Sequence, residues 1–551
     1  MKKEGHEDIH GSFPLCARKG ARREGRMRGE HYPVFEALLR AIMICMGRRF
    51  IHAPAVPVMA LCLVLCAPAH AWEYEGENLG ASLTGYLQAG AVYALDHESP
   101  DEDPTTELGL EFRADVSDVS MVKIFLQAVD DGTVMDPGNG LLFNEFNKIY
   151  QDKNPYVDVD EAYIDLYSSH ADLRVGIQKF AWGRLDEINP TDNLNPEDFR
   201  QGIVADELDR KIGVPAVKVN AYSDIANVEL AWIPWFVPYR LPTPEERWFP
   251  GVLEAPAFID TGAAAGAIPV TARHEEIDMP AFNLDNSQAG IRVSKYLGGW
   301  DLSLSYFRGY DPMPLTEAVS DLIVELEDPL SLAYDLSLDL TYEPSLRRIQ
   351  VFGFDFTTTV SSFTLRGEFA YSKDKFYNRK LRSVLAQEIT PARQQAIITD
   401  FMRSYLASGG EASRQTFRID PEVNIQMDSM KYGLGIDYIY GDTSISMQVI
   451  QEWIPDYDKD MPVYFNKEGL DTMLTLQFKQ FFLQNTMEFD LRTAYGIEFR
   501  DYLVKPSLKY NFTGTLQGTI GLAVLGGRYD DSLLGQFDDN DEVYVRLKCF
   551  F

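Results

Sequence analysis

Regular alternation of apolar and polar residues is the feature that most restricts the fold of this chain. In residues 107–116 the even positions from Leu108 to Val116 are apolar, whereas the odd positions include Glu111 and Arg113. Successive side chains of a β-strand point to opposite faces, so this segment presents one apolar and one polar face. Comparable alternation recurs at residues 83–93, 122–128, 162–166, 173–177, 228–232, 363–369 and 487–491. The pattern predicts an all-β fold, although a soluble sandwich alternates in the same way.

The lengths of the connections separate these two folds. Transmembrane barrels of the bacterial outer membrane join their strands by short turns on the periplasmic side and by longer loops outside the cell. Short connections are predicted at residues 115–119, 168–172, 222–225, 297–299, 360–362, 440–443, 481–485 and 513–515, and long ones at residues 131–157, 182–211, 237–285, 374–429 and 527–541. Their alternation predicts a transmembrane antiparallel β-barrel with short periplasmic turns and long extracellular loops.

The same rule predicts the number of strands. It gives eighteen strands if the segment Tyr334–Tyr342, which also alternates, lies within a loop at residues 310–346. Counting that segment as a barrel strand would leave an odd total, whereas bacterial barrels of one chain have an even number. About eighteen strands are therefore expected, with sixteen as the alternative count.

The C-terminus carries a second signal for the outer membrane. Apolar residues occupy every odd position from Val543 to the final residue, Phe551. This ending resembles the terminal β-signal that the outer-membrane assembly machinery reads, so that machinery is an expected partner, together with outer-membrane lipid and lipopolysaccharide. Aromatic girdles at the membrane interface fit as well. The predicted girdle residues are Trp232, Trp235, Phe236, Tyr239 and Trp453.

The N-terminal region has the layout of a secretory leader. Two arginines precede an apolar run over residues 56–66, and the small-residue site Ala69-His70-Ala71 follows. Such a segment is a cleaved signal peptide, with cleavage expected after Ala71. The stretch before Met46 would make the leader unusually long, which indicates a misassigned start. We therefore predict a leader at residues 1–71 and an outer-membrane barrel at residues 72–551.

Charge and composition exclude several functions. The chain of 551 residues has a formal net charge of −32 at pH 7, so nucleic acid is not an expected partner. Beyond Ala71 the sequence has three histidines, His97, His170 and His274, and one cysteine, Cys549. Hydrolytic barrels rely on histidine-containing sites, and none of these histidines lies on a predicted strand face beside a serine or paired carboxylates. We expect no enzymatic activity, no cofactor and no metal site.

One long loop contains a predicted helix. Thr390 suits the N-cap position, Pro391 suits the first helical position, and Gly409 and Gly410 suit the end. The apolar residues that share one face of this helix are Ile397, Ile398, Phe401, Met402 and Tyr405. That face is expected to pack on neighbouring loops, with insertion into the barrel as the alternative.

The segment from Trp182 to Phe199 has an unusual regularity. It contains two Asn-Pro pairs, and each is followed at the same spacing by an aspartate, Asp192 or Asp198. An Asn-Pro pair favours a turn, because the residue before proline is biased away from the helical conformation. Trp-Gly followed by Asn-Pro-x-Asp elements after an early strand resembles the DUF1302-type porin-like barrels of Gram-negative outer membranes. The resemblance implies an outer-membrane location and names no substrate.

A barrel of this predicted size has a wet interior. Sixteen to eighteen strands enclose a lumen too wide for side chains to fill, so a water-filled channel is expected unless loops plug it. Charged residues of the Trp182–Phe199 segment and of the predicted inward faces are candidates for the pore or its constriction. They are Arg184, Asp186, Asp192, Asp198, Arg113, Glu111, Arg174, Arg366, Glu368 and Arg492. The alternative for each is a residue held by its neighbours, with no role in transport.

These patterns predict an outer-membrane porin-like channel for passive diffusion or uptake of small solutes, with the loop 182–211 shaping its mouth. The alternative is a structural or adhesive barrel whose acidic loops bind surface polysaccharide or calcium. The cluster at residues 456–460 has the carboxylates that calcium prefers. However, Met461 and Lys467 stand where a helix-loop-helix calcium site needs glycine and glutamate, so a solvated acidic loop is preferred.

Overall fold

The computed structural model describes residues 71–76, 79–95, 102–130, 156–242, 246–260, 267–275, 277–328 and 330–551. The predicted leader up to His70, most of the predicted loop 131–157 and His97 therefore lie outside the described residues. Strands dominate the described part of the chain and form two separate sheets.

The larger sheet contains eighteen long antiparallel strands and the short strand β1 (Trp72–Glu75), which pairs with the first of them. The eighteen strands are β2 (Gly80–Ala94), β3 (Glu102–Ser117), β4 (Ser120–Asp130), β5 (Tyr156–Tyr167), β6 (Ala171–Gln178), β7 (Val214–Ala221), β8 (Asn227–Ile233), β11 (Gln288–Leu297), β12 (Trp300–Tyr310), β15 (Arg348–Val360), β16 (Phe363–Asn378), β18 (Asn424–Tyr440), β19 (Thr443–Trp453), β20 (Leu470–Phe482), β21 (Met487–Gly496), β22 (Tyr502–Asn511), β23 (Leu516–Gly526) and β24 (Glu542–Phe550).

The larger sheet closes on itself. β2 pairs with β3 on one side and with β24 on the other, where Tyr86 lies opposite Phe550. The final residue continues this pairing, because Gly85 N donates to Phe551 O at 2.8 Å and Phe551 N donates to Gly85 O at 3.0 Å. Closure pairs the edges that an open sheet would leave free. The fold is a closed eighteen-stranded antiparallel barrel, so the predicted fold class and strand number are confirmed.

The outward face of the barrel is apolar and exposed. Leu304 is 63% exposed and Leu434 is 58% exposed, whereas leucine is usually buried in a folded domain. An outward apolar band of this kind is what a transmembrane barrel presents to lipid. Other exposed members are Ile164, Val175, Leu230, Val293, Phe352, Phe369, Val449, Leu474 and Val504.

Of the predicted girdle residues, the tryptophans are exposed, as a girdle requires, and the prediction is wrong for two others. The exposed members are Trp232, Trp235 and Trp453. Phe236 is instead buried, with its ring centroid 5.1 Å from that of Tyr310. Tyr239 packs against Phe199, with ring centroids 5.2 Å apart. Both residues follow the end of β8, so the alternation of that strand no longer decides where their side chains point.

Short turns join the strands at one end of the barrel, and the long connections lie at the other. β15 and β16 are separated by two residues only, Ser361 and Ser362, and β18 and β19 by Gly441 and Asp442. Gly441 has a φ of +56°, a conformation that glycine adopts without steric cost. The predicted rule of short and long connections is confirmed for the described strands.

The long connections build a second sheet of five strands, which the sequence pattern did not predict. In spatial order it contains β17 (Arg414–Ile419), β13 (Leu315–Asp328), β14 (Ala333–Ser345), β10 (Ala267–His274) and β9 (Phe258–Asp260). β10 and β14 are parallel, and the other neighbours are antiparallel. The alternating segment 334–342 belongs to β14, so its predicted place outside the barrel is confirmed.

We name these five strands the extracellular sheet, because the long connections form it. Helices cover one of its faces. They are α2 (Leu381–Glu388) and α3 (Pro391–Ala407), whereas the short α1 (Glu207–Arg210) lies elsewhere. The Thr390 side chain caps α3 by accepting from Arg393 N at 3.3 Å, which confirms the predicted helix. Phe401 of α3 is fully buried in a core shared with Leu322 of β13 and Leu338 of β14, so the helix packs on neighbouring loops. Within the described ranges, no helix is long and apolar enough to cross a membrane.

Candidate functional site

The connection between β6 and β7, residues 179–213, folds into the lumen of the barrel, and we name it the inward loop. Asn195 closes its base, because its Oδ1 accepts from Phe180 N at 2.6 Å and its Nδ2 donates to Ile212 O at 2.7 Å. The sequence predicted a loop that shapes the mouth. The loop reaches inside the barrel, where polar wall residues on strands from β8 to β22 bind it.

Glu368, on β16, is the centre of this attachment. Its Oε1 accepts from Leu185 N at 2.5 Å and from Arg184 N, and its Oε2 accepts from Thr191 N at 3.1 Å and from Thr191 Oγ1 at 3.0 Å. The Glu368 residue is only 4% exposed. A buried carboxylate needs donors in place of water, and the loop backbone supplies them.

Arg184 and Asp186 extend from the loop to opposite charges on the wall. Arg184 lies 3.0 Å from Asp355 of β15 and 2.7 Å from Asp301 of β12. Asp186 makes a two-point contact with Arg366 of β16, at 2.9 and 2.6 Å. A planar guanidinium and a carboxylate match in the two-point geometry, so the Asp186–Arg366 pair fixes the orientation of the loop as well as its position.

Wall glycines make room for the apolar side chains of the loop. A Cβ atom added at Gly290 of β11 would lie 2.7 Å from Trp182, and one at Gly433 of β18 would lie 2.5 Å from Leu185. These distances are shorter than any tolerated contact, so a larger residue at either position would force the Trp182 ring or the Leu185 side chain to move. Glycine inside a strand often marks such a close approach. This was the sequence signal for an inward loop that alternation alone did not reveal.

Two further acidic residues of the inward loop bind the wall strands β21 and β22. Glu187 lies 3.0 Å from Arg492 of β21, and Asp206 lies 2.8 Å from Arg492 and 3.0 Å from Lys505 of β22. Burial would raise the pKa of Asp206, but Lys505 and Arg492 together lower it to about 2. Asp206 is therefore ionised at any physiological pH, and the sequence had not marked it as a candidate.

The two Asn-Pro-x-Asp elements have different electrostatic surroundings. Asp198 lies 2.5 Å from Arg200 and 3.2 Å from Arg240; burial would raise its pKa, but the two guanidiniums lower it well below its usual range. Asp192 has one close cation, Lys211, at 2.7 Å. Burial raises the pKa of Asp192 to about 6, although Lys211 acts in the opposite direction. The negative charge of Asp198 in the second element is compensated by two arginines, whereas that of Asp192 in the first has a single lysine beside it.

A cavity of about 680 Å³ lies between the inward loop and the wall strands from β15 to β22. Nine carboxylates and six cations line it, and seven of the carboxylates belong to the inward loop whereas five of the cations belong to the wall. The carboxylates are Asp186, Glu187, Asp192, Glu197, Asp206, Glu207, Asp209, Asp311 and Glu452, and the cations are Arg210, Lys375, Lys431, Lys479, Arg492 and Lys505. The two sides of the cavity thus carry opposite excess charge.

The ten candidate residues fall into three groups. Asp186, Asp192 and Arg492 line the cavity. Arg184, Asp198, Arg366 and Glu368 hold the inward loop in place. The remaining three lie on walls away from this cavity: Glu111 is 3.4 Å from Lys123, Arg113 is 3.6 Å from Asp115, and Arg174 is 2.7 Å from Asp165. The structure brings only the first two groups together around the loop.

The described histidines lie outside the lumen. His170 is in an exposed turn, where its Nδ1 is 2.6 Å from Ser169 Oγ. His274 belongs to the extracellular sheet and stacks on Tyr342, with ring centroids 4.7 Å apart. In the ranges that the structure covers, no group of three or more His, Cys, Asp or Glu side chains is arranged to hold a metal ion.

A closed barrel with an apolar outer belt, short turns at one end and a charged interior is the architecture of outer-membrane proteins, and this chain is a protein of that class. Its sequence from residue 147 to residue 551 matches the family described as "Protein of unknown function (DUF1302)". The match covers more than half of the chain, so the protein belongs to this family, and the predicted resemblance is confirmed. No curated protein sequence matches the chain.

Solved outer-membrane structures resemble it at low sequence identity. Acinetobacter baumannii OccAB1 is 8% identical, with a TM-score of 0.43 over 86% of this chain and 96% of that one. Pseudomonas aeruginosa OccK8 (OprE) is 9% identical, with a TM-score of 0.42 over 86% and 97%. Salmonella typhi OmpF, in a complex with daunomycin, is 8% identical, with a TM-score of 0.37 over 87% and 100%.

Proposed function

We propose that the protein is an outer-membrane channel for passive diffusion or uptake of small solutes, without enzymatic activity. The observation that carries the proposal is the cavity of about 680 Å³ inside the closed barrel, bounded by an acidic loop edge and a basic wall. A cavity lined by charged groups holds water, and a barrel of this width is not filled by its own side chains. Solutes would pass between the inward loop and the wall.

The lining favours cations modestly. Nine carboxylates face six cations around the cavity, and several of these charges are paired across it. The Asp186 side chain is 48% exposed and that of Asp206 is 45% exposed, so these two carboxylates are the best placed to meet a solute. Selectivity in a pore follows the charges at its narrowest ring more than the total charge of the protein.

The candidate residues then divide into two proposed roles. Asp186, Asp192 and Arg492 would act on the solute or on the local field. Arg184, Asp198, Arg366 and Glu368 would act through the loop that they hold, and Arg113, Glu111 and Arg174 would form part of the wider lumen wall, where the path is not constricted. The role of each group can be separated by conductance measurements on single variants.

The test of the channel is the conductance of purified protein in planar lipid bilayers. Discrete current steps with a modest preference for potassium over chloride would support the proposal. Protein that inserts into the bilayer and gives no steps would overturn it. Heat-modifiable migration in detergent gels serves as the control for a folded barrel, so that the absence of steps is not caused by unfolded protein.

Export and membrane partners are also proposed. We infer a leader that is cleaved after Ala71 and a mature barrel from residue 72, which agrees with the start of β1 at Trp72. Outer-membrane lipid and lipopolysaccharide would contact the exposed apolar belt. The pairing of Phe551 with Gly85 at the barrel seam supports a role of the C-terminal signal in assembly. N-terminal sequencing of protein from outer-membrane fractions tests the cleavage site.

A second candidate function is adhesion through the extracellular sheet, where acidic residues are directly opposed between β13 and β14. Glu317 faces Glu343, Asp321 faces Asp339 and Glu325 faces Asp335. Like charges in such positions destabilise a hairpin. Arg347 and Arg414 offset the charge of the two outer pairs, and calcium or another cationic partner would offset that of Asp321 and Asp339. Deletion of β13 and β14 that abolishes surface binding and leaves conductance unchanged would favour this candidate.

A further inference from the structure

The two Asn-Pro-x-Asp elements differ in how completely their polar atoms are paired. In the second element, Asn195 uses both its oxygen and its nitrogen to hold the base of the inward loop, and Asp198 binds two arginines. In the first element, Oδ1 of Asn189 and Oδ1 of Asp192 are buried and have no partner within the part of the chain that the structure describes. In the repeated sequence, the second copy thus holds the loop together, and the first copy has two hydrogen-bond acceptors without a partner, which we call the open acceptors.

The open acceptors belong to the wall of the cavity. Asn189, Asp192 and Glu207 all line it, and the Asp192 side chain is only 6% exposed. Glu207 connects them, because its Oε1 accepts from Asn189 Nδ2 at 3.0 Å and lies 3.5 Å from Lys211, the cation bound to Asp192. Three side chains with acceptor oxygens thus share one patch of the wall.

This patch is held rigidly. Asp192 N donates to Asn189 O at 3.3 Å across the turn, and the intervening Thr191 is fastened to Glu368 at 3.0 and 3.1 Å. Rigid acceptors cost little to organise when a donor arrives, which favours specific binding. Both unpaired oxygens are covered in the protein without ligand, so an ammonium group would reach them by displacing the side chains that lie between them and the cavity.

The charge of the patch defines the ligand. Lys211 is the one close cation of Asp192, and the nearby carboxylates Glu207 and Glu368 act against it, so the patch retains unbalanced negative charge. An ammonium group carries one positive charge and three N–H donors, which match acceptor oxygens on Asn189, Asp192 and Glu207. In the described ranges no arrangement of three or more acidic or histidine side chains suits a metal ion.

We propose that the first Asn-Pro-x-Asp element is a recognition site for the primary ammonium group of a solute, formed by Asn189, Asp192 and Glu207 in the wall of the cavity. The inference rests on the proposed channel, and it narrows the solutes of that channel to a chemical class. Primary amines and zwitterions with a free ammonium group belong to this class. Quaternary ammonium ions do not, because they have no N–H donors.

Block of potassium current in planar bilayers tests the site. n-Butylammonium should reduce the current through the wild-type channel in a saturable manner, and tetramethylammonium at the same concentration should be at least about tenfold less effective. Asp192→Asn should raise the half-blocking concentration of n-butylammonium at least about tenfold. Glu488→Gln is the matched control, because it removes an inward carboxylate outside the cavity. Equal block by both cations, or equal effects of the two variants, would overturn the proposal.

A second variant separates recognition from a change in loop structure. Lys211→Met breaks the same ion pair as Asp192→Asn and keeps the Asp192 side chain. Because Lys211 lowers the pKa of Asp192, the comparison is made in alkaline buffer, where the Asp192 carboxylate of the variant is ionised and available to the ligand. The half-blocking concentration should therefore fall in Lys211→Met and rise in Asp192→Asn. A rise in both variants would show that the block depends only on an intact loop, and this would overturn the proposal.

The proposed channel and the proposed site can fail separately. Discrete current steps without block by n-butylammonium would overturn the site and leave the channel. If the wild-type protein gives no steps, isothermal titration of the detergent-solubilised barrel with n-butylammonium still tests the site. Heat of binding that is lost in Asp192→Asn would then support it, and no heat in the wild-type protein would overturn it.

Discussion

Glu368 on the barrel wall and Thr191 in the inward loop form a two-point contact, in which one carboxylate oxygen accepts from Thr191 N at 3.1 Å and from Thr191 Oγ1 at 3.0 Å. The other oxygen binds the backbone of Arg184 and Leu185. A single wall residue thus fixes two separate parts of the loop. The position of the loop, and with it the width of the cavity, depends on this carboxylate.

Replacement of Glu368 by alanine should destabilise the barrel. It leaves several loop donors buried without an acceptor, which costs about 1–3 kcal/mol for each unsatisfied group that water cannot reach. We expect a lower midpoint of thermal unfolding in detergent, followed by heat-modifiable gel migration. Glu488→Gln is the control, because Glu488 lies 3.7 Å from a partly exposed Lys509 and the pair should contribute less than about 1 kcal/mol. Equal midpoints for the two variants would contradict the anchoring role.

The wall glycines should be sensitive to enlargement where the loop touches them. Gly433→Val places atoms on Leu185, because even a Cβ atom would lie 2.5 Å from that side chain, and overpacking of this kind costs about 1–3 kcal/mol. Gly80→Val is the matched control, since the nearest atom to its added Cβ is 4.0 Å away. The unfolding midpoint of Gly433→Val should be lower than that of Gly80→Val. A lower midpoint for Gly80→Val, with Gly433→Val unaffected, would contradict the close contact between Gly433 and Leu185.

Ion selectivity should respond to Asp206. Asp206→Asn leaves Arg492 and Lys505 without their shared carboxylate, so the path becomes more favourable for anions. One charge at about 4 Å in water is worth about 1 kcal/mol, which corresponds to about a fivefold change in the permeability ratio of potassium to chloride. Reversal potentials in a salt gradient measure this ratio. The pKa of Asp206 is about 2, so the effect should be constant between pH 5 and 8; an unchanged ratio would place the ions on another path.

Asp192 should make stability depend on pH between about 4 and 6. Burial raises its pKa to about 6 from the ordinary 3.8, against the effect of Lys211 and together with Glu207 and Glu368. In this window the folded chain holds a proton that the unfolded chain releases, so stability falls as pH rises, by at most about 3 kcal/mol. The difference in unfolding midpoint between the wild type and Asp192→Asn should therefore change over this window. Parallel pH profiles would contradict the assignment.

The extracellular sheet should unfold without loss of the barrel. Phe401→Ala removes a fully buried side chain from the core between α3 and the sheet, at a cost of about 3–5 kcal/mol. We expect faster protease cleavage between residues 379 and 423, with unchanged heat-modifiable migration of the barrel. Leu406→Ala, at a position 70% exposed on the same helix, should leave cleavage unchanged. Loss of the barrel in Phe401→Ala would show that the two sheets fold as one unit.

The barrel was predictable from sequence because each spanning strand has one face toward lipid and one toward water. Apolar residues such as Leu108 therefore alternate with polar residues such as Glu111 along the strand. The extracellular sheet has the same period in β14, but there the apolar face is covered by α3. Periodicity reports that one face is apolar and does not report what covers it, so only the count of connections excluded the segment 334–342 from the barrel.

The inward loop was predictable in part. The Asn-Pro-x-Asp repeat indicated a built turn, and charged residues around it contact the barrel wall in the structure, whereas their role in a pore stays a prediction. Its direction was not predictable, because the contacts that draw it inside join residues far apart in the chain, such as Trp182 with Gly290 and Leu185 with Gly433. Nor did the repeat reveal that its two copies differ, since Asp198 meets Arg240 only in the folded protein.

The most direct test of the central claim is the single-channel conductance of the wild type beside that of Glu368→Ala, with Glu488→Gln as the control. An open path whose width is set by the anchored loop predicts discrete steps in the wild type, larger and noisier steps in Glu368→Ala, and wild-type steps in Glu488→Gln. A folded wild-type barrel without steps, or a conductance that Glu368→Ala leaves unchanged, would contradict the account.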